Sequence, residues 1–268
     1  MILNFLSGLP RSGSTLLGAI LNQHPDLHVT PTSDLLELIV GIRNTFLTSD
    51  SFRAQGIADS RLQVRNGMRG LIEGFYQGHT MVLDKNRAWP AYIELMERVL
   101  NREVRILCPI RDLKEVVASF ERLRSENPMT APHGVGADYI LQQTMLGRAQ
   151  CLLRHDGVIG LALRRMVDAL QRGYKDRIFL VTYKRLMEEP QMMAQMCFLH
   201  LGLKPFQVDL GNLQGPDASK DIEVWGLPLH TIKPQISQNQ GTWNDYITQE
   251  VADWIDNEFQ LVQQLANT

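Results

Sequence analysis

A glycine-bearing loop near the start of the chain carries backbone and side-chain groups that could bind an anion. It lies between an apolar run over residues 2–6 and a helix-like segment over residues 16–21, and it reads Gly8-Leu9-Pro10-Arg11-Ser12-Gly13-Ser14-Thr15. Where a strand, a loop and a helix follow in this order, unpaired N–H groups and the positive end of the helix dipole converge on one point. The spacing from Gly8 to Thr15 is that of a P-loop, but Ser14 stands where a nucleoside triphosphatase has its lysine. Arg11 is the cation of this loop, so we expect it to bind a phosphate-like group other than a nucleoside triphosphate.

Cationic turns also follow two further predicted strands. The strand-like run over residues 80–83 ends at Asp84-Lys85-Asn86-Arg87, and the run over residues 104–110 ends at Arg111 and Asp112. Because parallel α/β sheets bind ligands at the carboxyl ends of their strands, we expect these turns to meet the first loop at one sheet edge. Ser119 follows Arg111 by eight residues, two turns into the next predicted helix, so both side chains could face one anion.

The elements that must position these groups alternate along the chain. Short apolar strands are predicted over residues 2–6, 27–30, 80–83, 104–110 and 177–181, with helices between them. This alternation predicts an α/β fold with a central parallel sheet flanked by helices. We expect a single domain over residues 1–268, with helical insertions around 35–76 and 125–172. Residues 125–136 are predicted to be a flexible loop, 202–243 irregular and 245–265 a closing helix, with a turn at Tyr183.

Composition excludes several classes of function. The formal net charge is −2, with 27 basic and 29 acidic residues spread along the chain, so nucleic-acid binding has no electrostatic support. The three cysteines are far apart and lack metal-ligand spacing, which favours buried thiols in a reducing, cytoplasmic compartment over disulfides or a zinc site. The sequence shows neither an apolar run of membrane-spanning length nor a signal peptide.

Two segments resemble binding elements of the sulfotransferases that use 3′-phosphoadenosine 5′-phosphosulfate (PAPS). The segment over residues 10–17 resembles the 5′-phosphosulfate loop of that family. The segment over residues 106–120 resembles its 3′-phosphate element, in which an arginine follows a strand and a serine comes eight residues later, here Arg111 and Ser119. The pair, in this order and about a hundred residues apart, is a more specific signal than either segment alone.

Shorter matches extend the resemblance to about residue 245. Lys85 matches a lysine that the family uses on the transferring sulfuryl group, and Tyr183 matches a tyrosine near the adenosine and 3′-phosphate. Lys233, with Trp243 farther on, resembles the segment that closes over the nucleotide. Arg11 in place of a lysine, and the His-Pro-Asp sequence at residues 24–26, place the chain nearer the tyrosylprotein and bacterial branch than the cytosolic aryl enzymes.

The resemblance implies a three-layer P-loop NTPase-like fold and in-line transfer of a sulfuryl group from PAPS, with 3′-phosphoadenosine 5′-phosphate (PAP) as product and no metal required. It implies catalytic roles for Arg11 and Lys85. The implied nucleotide-binding residues are Arg11, Ser12, Gly13, Ser14, Thr15, Arg111, Ser119, Tyr183 and Lys233. We expect the acceptor to be a small molecule or glycan with a reactive hydroxyl, while the oligomeric state stays open.

The chain departs from the family pattern at three positions. The position of the family's catalytic glutamate is Thr32, so the general base must lie elsewhere; we favour Asp34, with Glu37, His24, His28 and Asp84 as alternatives. A second arginine of the 3′-phosphate site is replaced by Leu123, between Arg122 and Arg124, either of which could substitute for it. The lysine expected before Trp243 is Thr242. His230, close to the closing segment, is expected to be an ordinary surface histidine.

Two other functions fit parts of the pattern. A small-molecule kinase with a degenerate P-loop is disfavoured by Ser14 and by the lack of a clear strand-end carboxylate for Mg²⁺. An inactive nucleotide-binding protein is supported by Thr32, whereas the retained Lys85 argues against it.

Overall fold

A computed structural model of the chain describes residues 1–127, 141–216, 218–225, 229–232, 234–236 and 242–267. These residues contain a five-stranded sheet in the order β2-β3-β1-β4-β5, in which every pair is parallel. The strands are β1 (Ile2–Leu6), β2 (Leu27–Val29), β3 (Met81–Lys85), β4 (Ile106–Ile110) and β5 (Ile178–Thr182). The predicted α/β fold with a central parallel sheet is confirmed.

Helices cover both faces of this sheet. Their bounds are α1 (Ser14–Leu21), α2 (Leu35–Thr48), α3 (Asp50–Ala54), α4 (Ile57–Phe75), α5 (Ile93–Leu100), α6 (Leu113–Glu126), α7 (Met145–Leu153), α8 (Val158–Gln171), α9 (Tyr183–Glu188), α10 (Pro190–Leu201), α11 (Ala218–Trp225), α12 (Gln249–Glu258) and α13 (Gln260–Asn267). The predicted insertion at 35–76 contains α2, α3 and α4. The described part of the insertion at 125–172 contains α7 and α8. No helix among the described residues is long and apolar enough to span a membrane.

Two hydrophobic cores lie on opposite faces of the sheet because neighbouring strand residues point in opposite directions. In β4, Ile106 and Cys108 enter one core, whereas Leu107 enters the other. The first core packs against α2, α4, α5, α6, α7, α8 and α12, and the second against α1, α9 and α10. A sheet covered on both faces explains why its strands appear in the sequence as apolar runs.

Several sequence predictions for connecting segments are wrong. Residues 202–243 were expected to be irregular but contain α11, and the closing helix expected over 245–265 is two helices, α12 and α13. Tyr183 begins α9 directly after β5 instead of forming a turn. Helix α6 extends to Glu126, and most of the loop predicted at 125–136 lies outside the described residues.

The central strand β1 carries the loop that follows it to the middle of one sheet edge. β1 pairs with β3 on one side and with β4 on the other, so the chain reverses its direction of travel across the sheet around β1. Beyond β1 the ladder with β4 continues: the N–H groups of Ser7 and Leu9 donate to the carbonyls of Leu107 (2.9 Å) and Pro109 (3.0 Å). Such a reversal point is where open α/β sheets leave a crevice for ligands.

Gly8 is required by this close pairing. A Cβ atom at Gly8 would overlap the carbonyl oxygen of Pro109 and lie 2.7 Å from its Cδ. We expect Gly8→Ala to lower the free energy of unfolding by about 1–3 kcal/mol, because overpacking against backbone forces it to shift. Thermal unfolding should show a melting temperature lower by roughly 2–4 °C per kcal/mol.

Gly41→Ala is the matched control, since a Cβ atom at Gly41 in α2 meets nothing within 4 Å. This variant should be as stable as the wild type or more stable by up to about 1 kcal/mol. An unchanged melting temperature in Gly8→Ala would contradict the assigned packing.

Candidate active site

The loop between β1 and α1 is shaped by its own buried side chains. The hydroxyl of Ser12 donates to the carbonyls of Leu9 (2.6 Å) and Pro109 (3.0 Å), and this side chain is fully buried. Gly13 has a left-handed backbone (φ 86°), and a Cβ atom there would lie 2.6 Å from Cδ2 of Tyr183. The Ser12 side chain is thus engaged within the protein, and the first-turn N–H groups of α1 are the groups of this segment suited to meet an anion.

Arg11 has a strained backbone and a side chain that joins two distant segments. Its φ of 60° lies in the left-handed region, which is uncommon for a residue other than glycine. Its Nε donates to Oγ of Ser119 in α6 (3.0 Å), and its Nη1 donates to the carbonyl of Leu229 (2.8 Å). The loop arginine thus contacts both the predicted 3′-phosphate helix and a segment near the end of the chain.

Arg111, at the end of β4, holds this strained loop in place. Its Nη1 donates to the carbonyl of Arg11 (3.2 Å), and its guanidinium lies over the ring of Tyr183 at 4.3 Å. Its Nη2 pairs with Oε2 of Glu115 (3.1 Å). Its Nε is buried and has no hydrogen-bond partner among the described residues. The structure therefore brings Arg11, Arg111, Ser119 and Tyr183 together, as the sequence predicts.

Three arginines lie close together in this cluster. Burial lowers the pKa of Arg11, and the nearby charges of Arg122 and Arg111 lower it further. Nε of Arg122 is also buried and makes no hydrogen bond in the described part of the chain, although Oε1 of Glu126 lies 4.0 Å from it as an ion-pair partner. Of the two arginines beside Leu123, Arg122 is the one near Arg11, whereas Arg124 lies 3.9 Å from a carboxylate oxygen of Glu121. Orphaned donors among repelling cations fit a multiply charged anion.

Lys85, the last residue of β3, contacts the start of α1. Its Nζ donates to Oγ1 of Thr15 (3.1 Å), and its backbone N–H donates to Oγ1 of Thr30 (2.8 Å). The pKa of Lys85 is lowered to about 8, chiefly by burial and also by the charge of Arg87, whereas the charge of Asp221 opposes this shift. A second cation therefore lies beside the helix N-terminus, on the β3 side of the loop.

Similarity to known proteins fits this arrangement. A model of the sulfotransferase family matches residues 5–207. The chain belongs to the sulfotransferase family. This confirms the family resemblance of the sequence motifs, while the placement near the tyrosylprotein and bacterial branch stays a prediction. Comparison with curated protein sequences found no match.

Two solved structures share the fold of this sulfotransferase. The sulfotransferase domain of the Synechococcus PCC 7002 olefin synthase superposes with a TM-score of 0.52 at 21% identity, covering 99% of this chain and 94% of that one. The mouse sulfotransferase SULT7A1, complexed with PAP, superposes with a TM-score of 0.51 at 11% identity, covering 99% and 86%. At these identities the similarity shows a common fold.

The carboxylates considered as general base in this sulfotransferase occupy different environments. Asp34 is exposed at the N-terminus of α2, and its side chain makes no capping hydrogen bond. Both carboxylate oxygens of Glu37 lie 3.2 Å from Nδ2 of Asn86, the residue after Lys85. Glu37 is thus bound to the β3 turn, whereas the role of Asp34, one helical turn earlier, stays a prediction.

Asp84 is a structural residue of the core, which makes it unsuitable as a base. Its side chain is fully buried and accepts hydrogen bonds from the hydroxyl of Tyr76 and from Nε1 of Trp89 (2.8 Å). Burial raises the pKa of Asp84, and the charge of Glu37 raises it further, against the hydrogen bonds that lower it. Because Lys85 is its neighbour in a strand, the two side chains point to opposite faces of the sheet.

The two histidines considered as bases are also held in the fold. Nε2 of His24 lies 3.2 Å from the carbonyl of Lys204, and its Nδ1 accepts from the N–H of Asp26 (3.1 Å). The ring of His28 stacks on that of His79 at 4.1 Å. Burial and the charge of His79 lower the pKa of His28. None of these contacts links His24 or His28 to the loop between β1 and α1.

Two carboxylates near the site, Asp221 and Glu115, are not predicted from the sequence. Asp221, on α11, pairs with His230, which was expected to be an ordinary surface histidine. Glu115 is a further addition: besides holding Arg111, it accepts from the N–H of Trp243 (3.1 Å). Lys233 lies outside the described residues. No group of three or more His, Cys, Asp or Glu residues in the described ranges could hold a metal ion.

Proposed function

We propose that this sulfotransferase transfers the sulfuryl group of PAPS to a hydroxyl of a small molecule or glycan. The observation that supports this most strongly is the grouping of Arg111 and Arg122 around Arg11 in the loop before α1, where the buried Nε of Arg111 has no hydrogen-bond partner among the described residues. PAPS carries anionic groups at its 5′ and 3′ positions, and each of these groups would pair with some of these arginines. The fold shared with a PAP-bound mouse enzyme supports the same donor.

Some of the site residues would bind the 5′ end of PAPS, and others would bind its 3′-phosphate. The first-turn N–H groups of α1, from Ser14 and Thr15 onward, would hold the 5′ end together with Arg11 and Lys85. Arg111 and Ser119 would hold the 3′-phosphate, and Arg122 lies close enough to Arg11 to add charge there. Tyr183, stacked under Arg111, would pack near the adenosine.

These residues would act in catalysis by positioning the reacting groups and by stabilising the negative charge that develops on them. Bound PAPS supplies the sulfuryl group, whose bond to the 5′-phosphate oxygen breaks as the acceptor oxygen bonds to sulfur. Arg11 and Lys85 place fixed positive charge where negative charge develops on the sulfuryl and bridging oxygens. Thr15 fixes the direction of the Lys85 ammonium through its hydroxyl.

The acceptor would approach along the turn after β3. Asn86 and Glu37 form a polar pair there, and Arg165 lies close enough for Glu37 to raise its pKa against burial. A polar lining of this kind suits a hydroxylated acceptor. The three cysteines are free and buried, which supports the proposed cytoplasmic location because that compartment keeps thiols reduced.

Ligand-dependent thermal stability and sulfate transfer test the proposal together. PAP should raise the melting temperature of the protein, and ATP with Mg²⁺ should not, because binding to the native state stabilises it. Labelled sulfate should then pass from PAPS to hydroxylated acceptors. Stabilisation by ATP–Mg²⁺ alone would favour a kinase, and stabilisation by PAP without transfer to any acceptor would favour an inactive binding protein.

Substitution of the cations should separate binding from catalysis. Arg111→Ala should weaken PAP binding by about 10–100-fold, because a charged hydrogen bond contributes about 1.5–3 kcal/mol. Arg11→Ala and Lys85→Ala should lower transfer by about 10²–10³-fold. Arg98→Ala, at an exposed position in the last turn of α5, is the control and should behave like the wild type. Unchanged PAP affinity in Arg111→Ala, measured by calorimetry, would overturn its assignment.

The lowered pKa of Lys85 predicts how PAP affinity depends on pH. Below its pKa of about 8 the ammonium is already charged, so affinity should vary little. Above it, binding must take up a proton, and affinity should fall by up to about tenfold per pH unit. Lys85→Met should bind more weakly at neutral pH and lose this fall. A wild-type pH dependence in Lys85→Met would show that another group titrates.

A further inference from the structure

A histidine lies next to the segment that the loop arginine holds. Nη1 of Arg11 donates to the carbonyl of Leu229 (2.8 Å), and His230 is the next residue. This hydrogen bond joins residues 218 positions apart, so it fixes one part of the chain's last quarter against the loop. His230 is therefore placed beside the proposed sulfuryl site by a contact of the site itself.

A buried carboxylate fixes the orientation of the His230 ring. Asp221 accepts from the backbone N–H of His230 with one oxygen, and its other oxygen lies 2.9 Å from Nδ1 of the ring. The Asp221 side chain is 12% exposed and that of His230 31% exposed, so the acid is largely enclosed while the imidazole can still be reached. Because Asp221 contacts both the backbone N–H and the ring Nδ1 of His230, the imidazole ring has little freedom to rotate.

The same carboxylate connects this pair to the sulfuryl site. The charge of Asp221 acts on Lys85 strongly enough to oppose the effect of burial on the pKa of that lysine. Lys85 in turn contacts Thr15 at the start of α1. Arg11 thus contacts the residue before His230, and Asp221 lies within electrostatic range of Lys85.

We propose that His230, oriented by Asp221, is the general base that accepts the hydroxyl proton of the acceptor. This assignment rests on the proposed function. When Nδ1–H donates to Asp221, the lone pair of the neutral ring is on Nε2, and the carboxylate stabilises the imidazolium that forms. The acceptor proton passes to Nε2 as the new O–S bond forms; the broken S–O bond leaves its electron pair on the phosphate of PAP.

The carboxylates named from the sequence are less suited to this role. Asp84 is enclosed by Tyr76 and Trp89, and Glu37 is bound to Asn86. Asp34 is exposed and has no side-chain capping bond to fix it. His230 is the candidate that combines an orienting partner with a contact to the loop, and Asp221 is its positioning residue.

The decisive variant is His230→Gln, measured in the full chain. We expect kcat for sulfate transfer from PAPS to fall by about 10²–10⁴-fold, the usual range for loss of a general base, with the thermal stabilisation by PAP unchanged. His155→Gln, at an exposed position between α7 and α8, is the matched control and should retain wild-type values for both. A wild-type kcat in His230→Gln would overturn the assignment.

The positioning role of Asp221 has a readout that does not depend on activity. Nitrogen NMR shifts of the His230 ring should show the Nδ1–H tautomer in the wild type and a mixture of tautomers in Asp221→Asn. The kcat of Asp221→Asn should fall by up to about 10⁴-fold, as when an orienting aspartate is lost. A predominant Nε2–H tautomer in the wild type would overturn the proposal. Failure of PAP to stabilise the wild type would instead overturn the proposed donor.

Discussion

The guanidinium of Arg111 lies between the ring of Tyr183 and the carbonyl of Arg11, and this contact joins β4, α9 and the loop after β1. The loop needs such support because Arg11 has a left-handed backbone. Gly13 lies close to the same tyrosine ring, so the strand-end arginine and the tyrosine both pack against the loop. Ser119 is then placed through Arg11, and the N–H of Trp243 through Glu115, which also pairs with Arg111.

This packing gathers positive charge that Glu115 and Glu126 neutralise only in part. The pKa of Arg11 is lowered by burial and by two neighbouring arginines, and that of Lys85 by burial and by Arg87. Carrying such repulsion costs stability, but it leaves the site preorganised for an anion whose charge is spread over more than one group. In the proposed transfer the same fixed cations would need little rearrangement as charge develops on the sulfuryl group.

The strands are predictable from the sequence because each is buried in the sheet and ends at a polar turn. Helix α11 is not, since residues 202–243 carry many glycines, prolines and polar residues and show no clear helical period. The sequence also makes Asp84, beside the catalytic candidate Lys85, a possible base. Strand alternation puts these neighbours on opposite faces, but which face is enclosed by Tyr76 and Trp89 depends on helices packed from elsewhere in the chain.

The sequence by itself determined the strand, loop and helix around Arg11 and the placement of Arg111 at a strand end with Ser119 in the helix that follows, because these depend on spacings within one strand, turn and helix. Only the tertiary structure decided that Arg122, and not Arg124, lies near Arg11, and that Asp221 holds His230 beside the loop. Such contacts depend on where distant segments meet in space. Local hydrophobic periodicity fixes the type and direction of each element, but the packing of the whole chain fixes which side chains share a site.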